Sequence, residues 1–309
     1  MSARELTVLG TSSAVPTPRR NHNGYFLRWD THGILFDPGE GTQRQMRAAG
    51  LSATDITGIC ITHFHGDHSL GLPGIIQRIA RDRVPHPVPI AHPAAGADHF
   101  ARLRHATAFH DTARIVPRPV DGDRTDLSDD TGLRITARPL SHSVPCYGYR
   151  ITEPDGWRML PDRLAAHNIT GPLIGLLHRQ GRVTAPDGHR VDLADCAEPR
   201  PGQSMAFVMD TAPCPQAVDL ARGADLLVIE STYLDSEEHL AARHGHLTAR
   251  QAGRIAARAG ARSVVLTHIS ERYGTDQDPL FTAQAAQEYD GPLTLAQDLD
   301  RIPVPARAR

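Results

Sequence analysis

Short apolar, β-branched runs alternate along this chain with stretches whose apolar residues recur at helical spacing. The clearest case is Gly58-Ile59-Cys60-Ile61, followed by polar Thr62-His63-Phe64-His65-Gly66-Asp67-His68 and then by Leu72, Ile75, Ile76 and Ile79. The helical period of the last group makes the three pieces read as a buried strand, a tight loop eased by Gly66, and a helix. Residues 6–9 predict a first strand, 25–28 and 33–36 a hairpin, and 42–49 a helix. Further strands are predicted at 88–90, 115–116, 133–136, 147–151, 206–209, 226–229 and 263–266. A helix is expected over 94–103, and another, capped by Thr248, running to Ala259. No internal repeat is visible, and the Pro- and Arg-containing tail 303–309 is expected to fray. The alternation suits one α/β domain spanning 1–309.

Polar residues of ligand type sit at the downstream ends of these runs: Asp37, His63, His142, Asp210, Glu230 and His268. Strand ends on one rim of a sheet are where α/β architectures gather active sites. One such residue alone is commonly structural, and a His-rich loop can be a hydrated turn; six placements after similar runs argue for a site. His63 and His65 alternate and so point the same way, while Asp67 and His68, past the turn, can face a second point nearby. His63, His65 and His142 supply three imidazoles to one metal; Asp67, His68 and His268 supply a second, with Asp210 as the natural bridge. Imidazole and carboxylate without thiolate suit Zn²⁺, and Mn²⁺ or Fe²⁺ are compatible.

Composition adds limits. The chain of 309 residues is 40% hydrophobic and 22% charged, with a formal net charge of −2, so nucleic-acid contact requires a local basic patch. All its basic residues besides histidine are arginines. The first ten residues lack a signal-peptide apolar stretch, no run reaches the ~18 apolar residues of a membrane span, and the four cysteines show no paired spacing. The expectation is a reduced, cytoplasmic protein without membrane contact. Loop 16–24, with Arg19 and Arg20, reads on spacing alone as an exposed connection. From 157 to 201 long apolar runs vanish and turn residues accumulate. Between 157 and 185, Arg158, Arg163, Arg179 and Arg182 oppose only Asp162. Leu173, Ile174, Leu176 and Leu177 are too few to cover a core of their own. The stretch reads as an inserted, basic, protruding arm or as an ordinary surface insertion.

The run 62–68 matches the H-x-H-x-D-H signature of the metallo-β-lactamase fold; Asp37, His142, Asp210 and His268 follow in that family's order. More narrowly, the chain resembles the ribonuclease Z family of tRNA 3′-end-processing endonucleases. That resemblance rests on Gly39-Glu40-Gly41-Thr42-Gln43, Gly71-Leu72-Pro73-Gly74, Glu230 with His246-x-Thr248, and Thr267-His268-Ile269-Ser270-x-Arg272-Tyr273. Asn168-Ile169-Thr170-Gly171-Pro172 is similar to the Gly-Pro-bearing flexible arm that grips tRNA in bacterial members. The likeness runs from residue 6 to about 304. Three positions differ: Pro18 stands where the early loop P-x-K-x-R-N has lysine, with Arg19 beside it; Leu247 replaces serine in His-Ser-Thr; and Met209 stands where Ser-Gly-Asp-Thr has glycine.

The resemblance implies an αββα sandwich with an inserted flexible arm at 157–201. It implies two Zn²⁺ per subunit on His63, His65, Asp67, His68, His142, Asp210 and His268. Catalytic roles fall to Asp67, on the attacking water, to His246, as proton donor to the leaving oxygen, and to Glu230, as that imidazole's support. Arg19, Arg20, Gly171, Pro172 and Thr248 are expected to contact substrate, and Asp37 to orient a ligand histidine from behind. Precursor tRNA is the implied partner. The implied assembly is a homodimer in which one subunit's arm serves the other's active site. Two readings compete. A small-molecule metallo-hydrolase or phosphodiesterase of the same fold would share every ligand but has no need of the arm or His246-x-Thr248. A non-catalytic RNA-binding scaffold would need no complete ligand set.

Overall fold

A computed structural model describes residues 4–128 and 132–307. Contacts separate Met1–Ser128, Arg134–Ile151 and Ser204–Arg309 from a smaller unit of Asp129–Leu133 and Thr152–Gln203. In chain order the strands are β1 Arg4–Gly10, β2 Gly24–Trp29, β3 His32–Phe36, β4 Gly58–Cys60, β5 Val88–Pro93, β6 Ile115–Val120, β7 Thr125–Ser128, β8 Arg134–Pro139 and β9 Tyr147–Thr152. They continue as β10 Gly156–Met159, β11 Arg182–Thr184, β12 Arg190–Asp192, β13 Ala197–Arg200, β14 Ser204–Val208, β15 Leu226–Glu230, β16 Val264–Thr267, β17 Leu293–Leu295 and β18 Arg301–Pro303.

The larger unit holds two seven-stranded sheets, ordered β18-β1-β2-β3-β4-β5-β6 and β17-β16-β15-β14-β9-β8-β7. Strands β3 to β6 run parallel, as do β14 to β17. Alternate side chains of each sheet face opposite ways, which is the period-2 rule of a strand buried on both faces. Phe26, Leu35, Ile59 and Ile90 pack against Met46, Ile75, Ile76, Ile79 and Phe100 of helices Thr42–Ala48, Leu72–Arg81 and Ala97–Arg104. Ala206, Val208, Leu227, Ile229, Val264 and Leu266 pack against helices Pro215–Ala221, Ala249–Ala259 and Asp278–Ala285. The other faces meet through aromatics. Phe207 lies 5.1 Å from Tyr25 and 4.6 Å from Phe36 between ring centres, and Phe36 lies 6.4 Å from Tyr149. The result is the four-layered αββα sandwich that the resemblance implied.

The tail departs from expectation. β18 pairs antiparallel with β1, Val304 N donates to Arg4 O at 2.9 Å, and Arg307 reaches both oxygens of Asp225 at 2.8 and 3.0 Å. Residues 308–309 lie outside the described residues. β18 is three residues long with one apolar side chain, too short for a periodic signal.

The smaller unit also differs from the sequence reading. Its apolar cluster joins Leu164, Ile169, Leu177, Val183, Val191, Leu193 and Cys196, with Met159, Leu173, Ile174 and Leu176 against it. These come from short separate elements, including the paired strands β10/β13 and β11/β12, so no run reveals them. Nor is the unit net basic: 152–203 holds six arginines and seven acids, because Glu153, Asp155, Asp187, Asp192, Asp195 and Glu198 fall outside the 157–185 window. Arg158 and Arg163 pair with Glu198, Arg182 with Asp192 and Arg200 with Glu153. Among the described residues, Arg179 and Arg190 are left outside any ion pair.

Candidate metal centre

The parallel halves of both sheets end on the same residues the sequence singled out. Asp37 follows β3, the 62–68 loop follows β4, Asp210 follows β14, Glu230 ends β15 and His268 follows β16. Asp37 and His268 hold positive φ, 44° and 63°, a conformation uncommon outside glycine that functional sites tolerate when surroundings fix it.

Two groups of donors converge. His63, His65, His142 and Asp210 bring one ligand atom each within 4.8 Å of one another, and so do Asp67, His68, Asp210 and His268. Asp210 belongs to both. Its Oδ2 lies 3.6 Å from His63 Nε2 and 3.2 Å from His68 Nε2, and its Oδ1 lies 3.2 Å from His268 Nε2. His142 Nε2 stands 3.3 Å from His65 Nδ1, with its own Nδ1 held 2.9 Å from the Gly245 carbonyl. Asp37, fully buried, accepts from Thr62 N and Thr62 Oγ1, both at 2.7 Å, and lies 2.9 Å from His68 Nδ1. It therefore stands behind the cluster and turns His68 Nε2 into it.

The electrostatics are those of a cation site. Burial, then repulsion from His68, pushes His63 well below its ordinary pKa. Burial opposes charge on His68 too, but Asp210, Asp67 and Asp37 outweigh it and raise that imidazole well above its usual value. Asp210 is buried and Asp67 half-buried, which favours the neutral acid, yet the surrounding histidines hold both well below the carboxylate range. Buried charges of this kind require a partner. His63 Nε2 and Asp210 Oδ1 are buried without any hydrogen bond. The donor set is nitrogen and carboxylate oxygen; the one thiol at hand, Cys146, donates to Met209 O at 3.1 Å and stands 3.8 Å from His63 Nδ1, on the side of that ring away from Nε2. The residues present fit a divalent metal, whose binding would displace the proton held on His68.

A third grouping adjoins the second: Glu230, His246 and His268. Glu230 is fully buried and accepts from Thr211 N at 2.6 Å, Leu247 N at 3.1 Å and Thr232 Oγ1 at 2.6 Å, with His246 Nδ1 at 3.2 Å. Burial works against charge on His246, but Glu230 and then Asp210 prevail and raise its pKa to about 9. Nδ1 being engaged, Nε2 is the atom that would deliver a proton.

The expected substrate contacts divide. Arg19 is exposed, and Gly171 (φ 54°) and Pro172 open an exposed helix, Pro172–Gln180, in the smaller unit. Arg20 is 3% exposed; its guanidinium meets both oxygens of Asp278 at 2.8 and 2.9 Å and Thr11 Oγ1 at 2.8 Å. Thr248 is 1% exposed, and its hydroxyl accepts from Gln251 N as the cap of helix Ala249–Ala259. Both are scaffold, not free surface: a buried guanidinium and a capping hydroxyl are already spent on the chain itself. The sequence reading also passed over Thr62, Thr232 and the Gly245 carbonyl, which hold the imidazoles. Adjacency in Thr62-His63 and the spacing Glu230-x-Thr232 were the available signals.

Comparison with known proteins agrees with this geometry. Residues 17–151 match the metallo-beta-lactamase superfamily and 176–269 a beta-lactamase superfamily domain. Ribonuclease Z of Thermobifida fusca is 62% identical over 307 residues, covering 99% of this chain and 96% of the relative. Ribonuclease Z of Streptomyces coelicolor is 56% identical over 308 residues, covering 99% and 100%. The crystal structure of the short form of human tRNase Z superposes with a TM-score of 0.70 at 26% identity, covering 98% of this chain and 100% of that one. The chain belongs to the ribonuclease Z family of the metallo-β-lactamase superfamily, the endoribonucleases that process tRNA 3′ ends.

Proposed function

We propose that this chain removes 3′ trailers from precursor tRNA with two Zn²⁺ per subunit, one on His63, His65 and His142, the other on Asp67, His68 and His268, with Asp210 shared. The observation that carries the reading is the adjacency of His246, backed by Glu230, to the shared carboxylate: its Nδ1 lies 4.0 Å from Asp210 Oδ2. Bound there, the cations would lower the pKa of water and offset charge growing on the phosphoryl oxygens. Asp67 orients the attacking water and accepts its proton. The water oxygen bonds to phosphorus and the bond from phosphorus to the tRNA 3′ oxygen breaks. His246 gives its Nε2 proton to that oxygen, leaving a 3′-OH on the tRNA and a 5′-phosphate on the trailer. Glu230 keeps the imidazole aimed and charged until then. Asp37 fixes His68.

The insertion, within 157–201, serves as the tRNA-binding arm. It recognises the fold and phosphates of the tRNA, with Gly171 and Pro172 setting its exposed helix and Arg179 and Arg190 offering unpaired charge. Arg19 adds a contact from the body. The working form is a cytoplasmic homodimer. Among the described residues no helix is long and apolar enough to cross a membrane.

The test is cleavage of a 5′-labelled, 3′-extended precursor tRNA by Zn²⁺-loaded protein beside Asp67→Ala. A single cut near the discriminator base, lost in the variant, supports the reading. Turnover of a small phosphodiester with no cut in tRNA would replace it with the small-substrate hydrolase.

A further inference from the structure

Two threonines in the site stand between a buried carboxylate and a histidine, and counting their protons assigns them a task. Thr232, 1% exposed, donates its hydroxyl proton to Glu230 Oε2 at 2.6 Å. A hydroxyl has one proton, so it meets His268 Nδ1, 2.7 Å away, as acceptor. His268 is thereby held with its proton on Nδ1 and a bare Nε2, the atom turned toward Asp210 Oδ1 and, at 3.2 Å, toward His68 Nε2. Thr62 repeats the arrangement: it donates to Asp37 Oδ2 at 2.7 Å and faces His63 Nδ1 at 3.0 Å. His63 Nε2 is the buried nitrogen that makes no hydrogen bond. The recurrence at two points on separate sheets, both in front of an imidazole of the cluster, argues for a shared purpose over chance packing.

We infer that Thr232 is a positioning residue that fixes the metal-ligating tautomer of His268 and ties it to Glu230. One carboxylate thus commands two imidazoles, His246 directly through Oε1 and His268 through the Thr232 hydroxyl on Oε2. The inference rests on the metal set given above. Without the hydroxyl, His268 Nδ1 and Glu230 Oε2 each lose a partner in a dry setting. The imidazole can then move its proton to Nε2, where it competes with a cation. Valine keeps the shape of threonine and removes only this link. Serine keeps the link.

The experiment measures Zn²⁺ affinity of the full chain by chelator competition, with Co²⁺ absorption as a spectroscopic readout of ligand geometry, for wild type, Thr232→Val and Thr232→Ser. Outer partners of metal-bound histidines are worth roughly 10- to 100-fold in affinity. Thr232→Val should weaken the more loosely held Zn²⁺ by about that factor and alter the Co²⁺ spectrum, and Thr232→Ser should restore both. Wild-type affinity in Thr232→Val overturns the inference, as does a serine variant no better than valine. If Thr232→Val fails to fold, Thr232→Ser and Glu230→Gln decide: near-native Zn²⁺ affinity is expected in the first and a loss in the second, and the reverse pattern overturns the inference. Failure of wild type to bind Zn²⁺ would instead sink the metal set.

Discussion

Gly39 lies against the backbone of Asp67 so closely that a Cβ on it would sit 2.0 Å from the Asp67 carbonyl oxygen. A Cβ on Gly71 would in turn sit 2.0 Å from the carbonyl of Gly39. Two backbone segments, one around Gly39 and one at 67–71, therefore cross with no room for a side chain, and the crossing locates the ligand loop relative to Asp37. Because the obstacle is backbone, it cannot rotate away. Gly39→Ala should destabilise the fold by about 1–3 kcal/mol, the usual range for overpacking, and displace Asp67 and His68. Chemical denaturation together with Zn²⁺ titration checks this: wild-type affinity in the variant would show that the loop tolerates the shift.

The pH profile should carry the mark of His246. Its folded pKa is raised to about 9, so the imidazolium proposed as proton donor is present at neutral pH and is lost as pH rises through that value. A cation drawn to Asp210 removes part of the negative field, so the alkaline limb of kcat in the loaded enzyme falls at or below pH 9. His246→Gln should lower kcat by about 10²- to 10⁴-fold, the common worth of general acid catalysis, and abolish that limb. A limb that survives the substitution belongs to another group.

Much of this site was legible because its residues are local to strand ends. A buried strand writes an apolar run, and the residue after it stands on the rim, so Asp37, His63, Asp210, Glu230 and His268 could be picked out one by one. His142 follows its run less directly, after Pro139-Leu140-Ser141, so it carries weight through its grouping with the other five, and the family's order adds to that. Arg20 differs from expectation for a physical reason: a polar loop predicts exposure, but the partner that buries Arg20 is Asp278, 258 residues away; Thr248 takes the helix-capping place that its sequence position predicts. The insertion's charge follows the same rule: the acids that balance its arginines lie outside 157–185, on separate short segments.

That distinction has consequences for stability. Arg20→Ala removes one member of a nearly buried, bidentate ion pair and leaves Asp278, whose side chain is 17% exposed, with Gln297 Nε2 at 2.9 Å but no countercharge. The loss should be about 2–4 kcal/mol, somewhat under the range for fully buried pairs because Asp278 keeps some water. Thr248→Ala removes a cap and should cost about 1 kcal/mol. Urea denaturation reads both. At a temperature where each variant remains folded, KM for precursor tRNA should stay near wild type; a rise without loss of stability would return these residues to the substrate surface.

The insertion poses the opposite case, since its useful charge is small in number. Most of its arginines are already paired, and an arginine in an ion pair offers a phosphate little without breaking that pair. Arg179 and Arg190 stand apart. Neutralising a phosphate releases a condensed counterion, so each genuine contact adds about 0.7–0.9 to the slope of log affinity against log salt. Arg179→Ala and Arg190→Ala should each weaken tRNA binding most at low salt and reduce that slope by nearly one. Arg182→Ala, whose partner Asp192 is then freed, should change the slope little. Fluorescence titration of labelled precursor tRNA across salt concentrations separates these. Equal slopes in all three variants and wild type would mean that the arm grips tRNA by shape, with phosphate neutralisation left to the body.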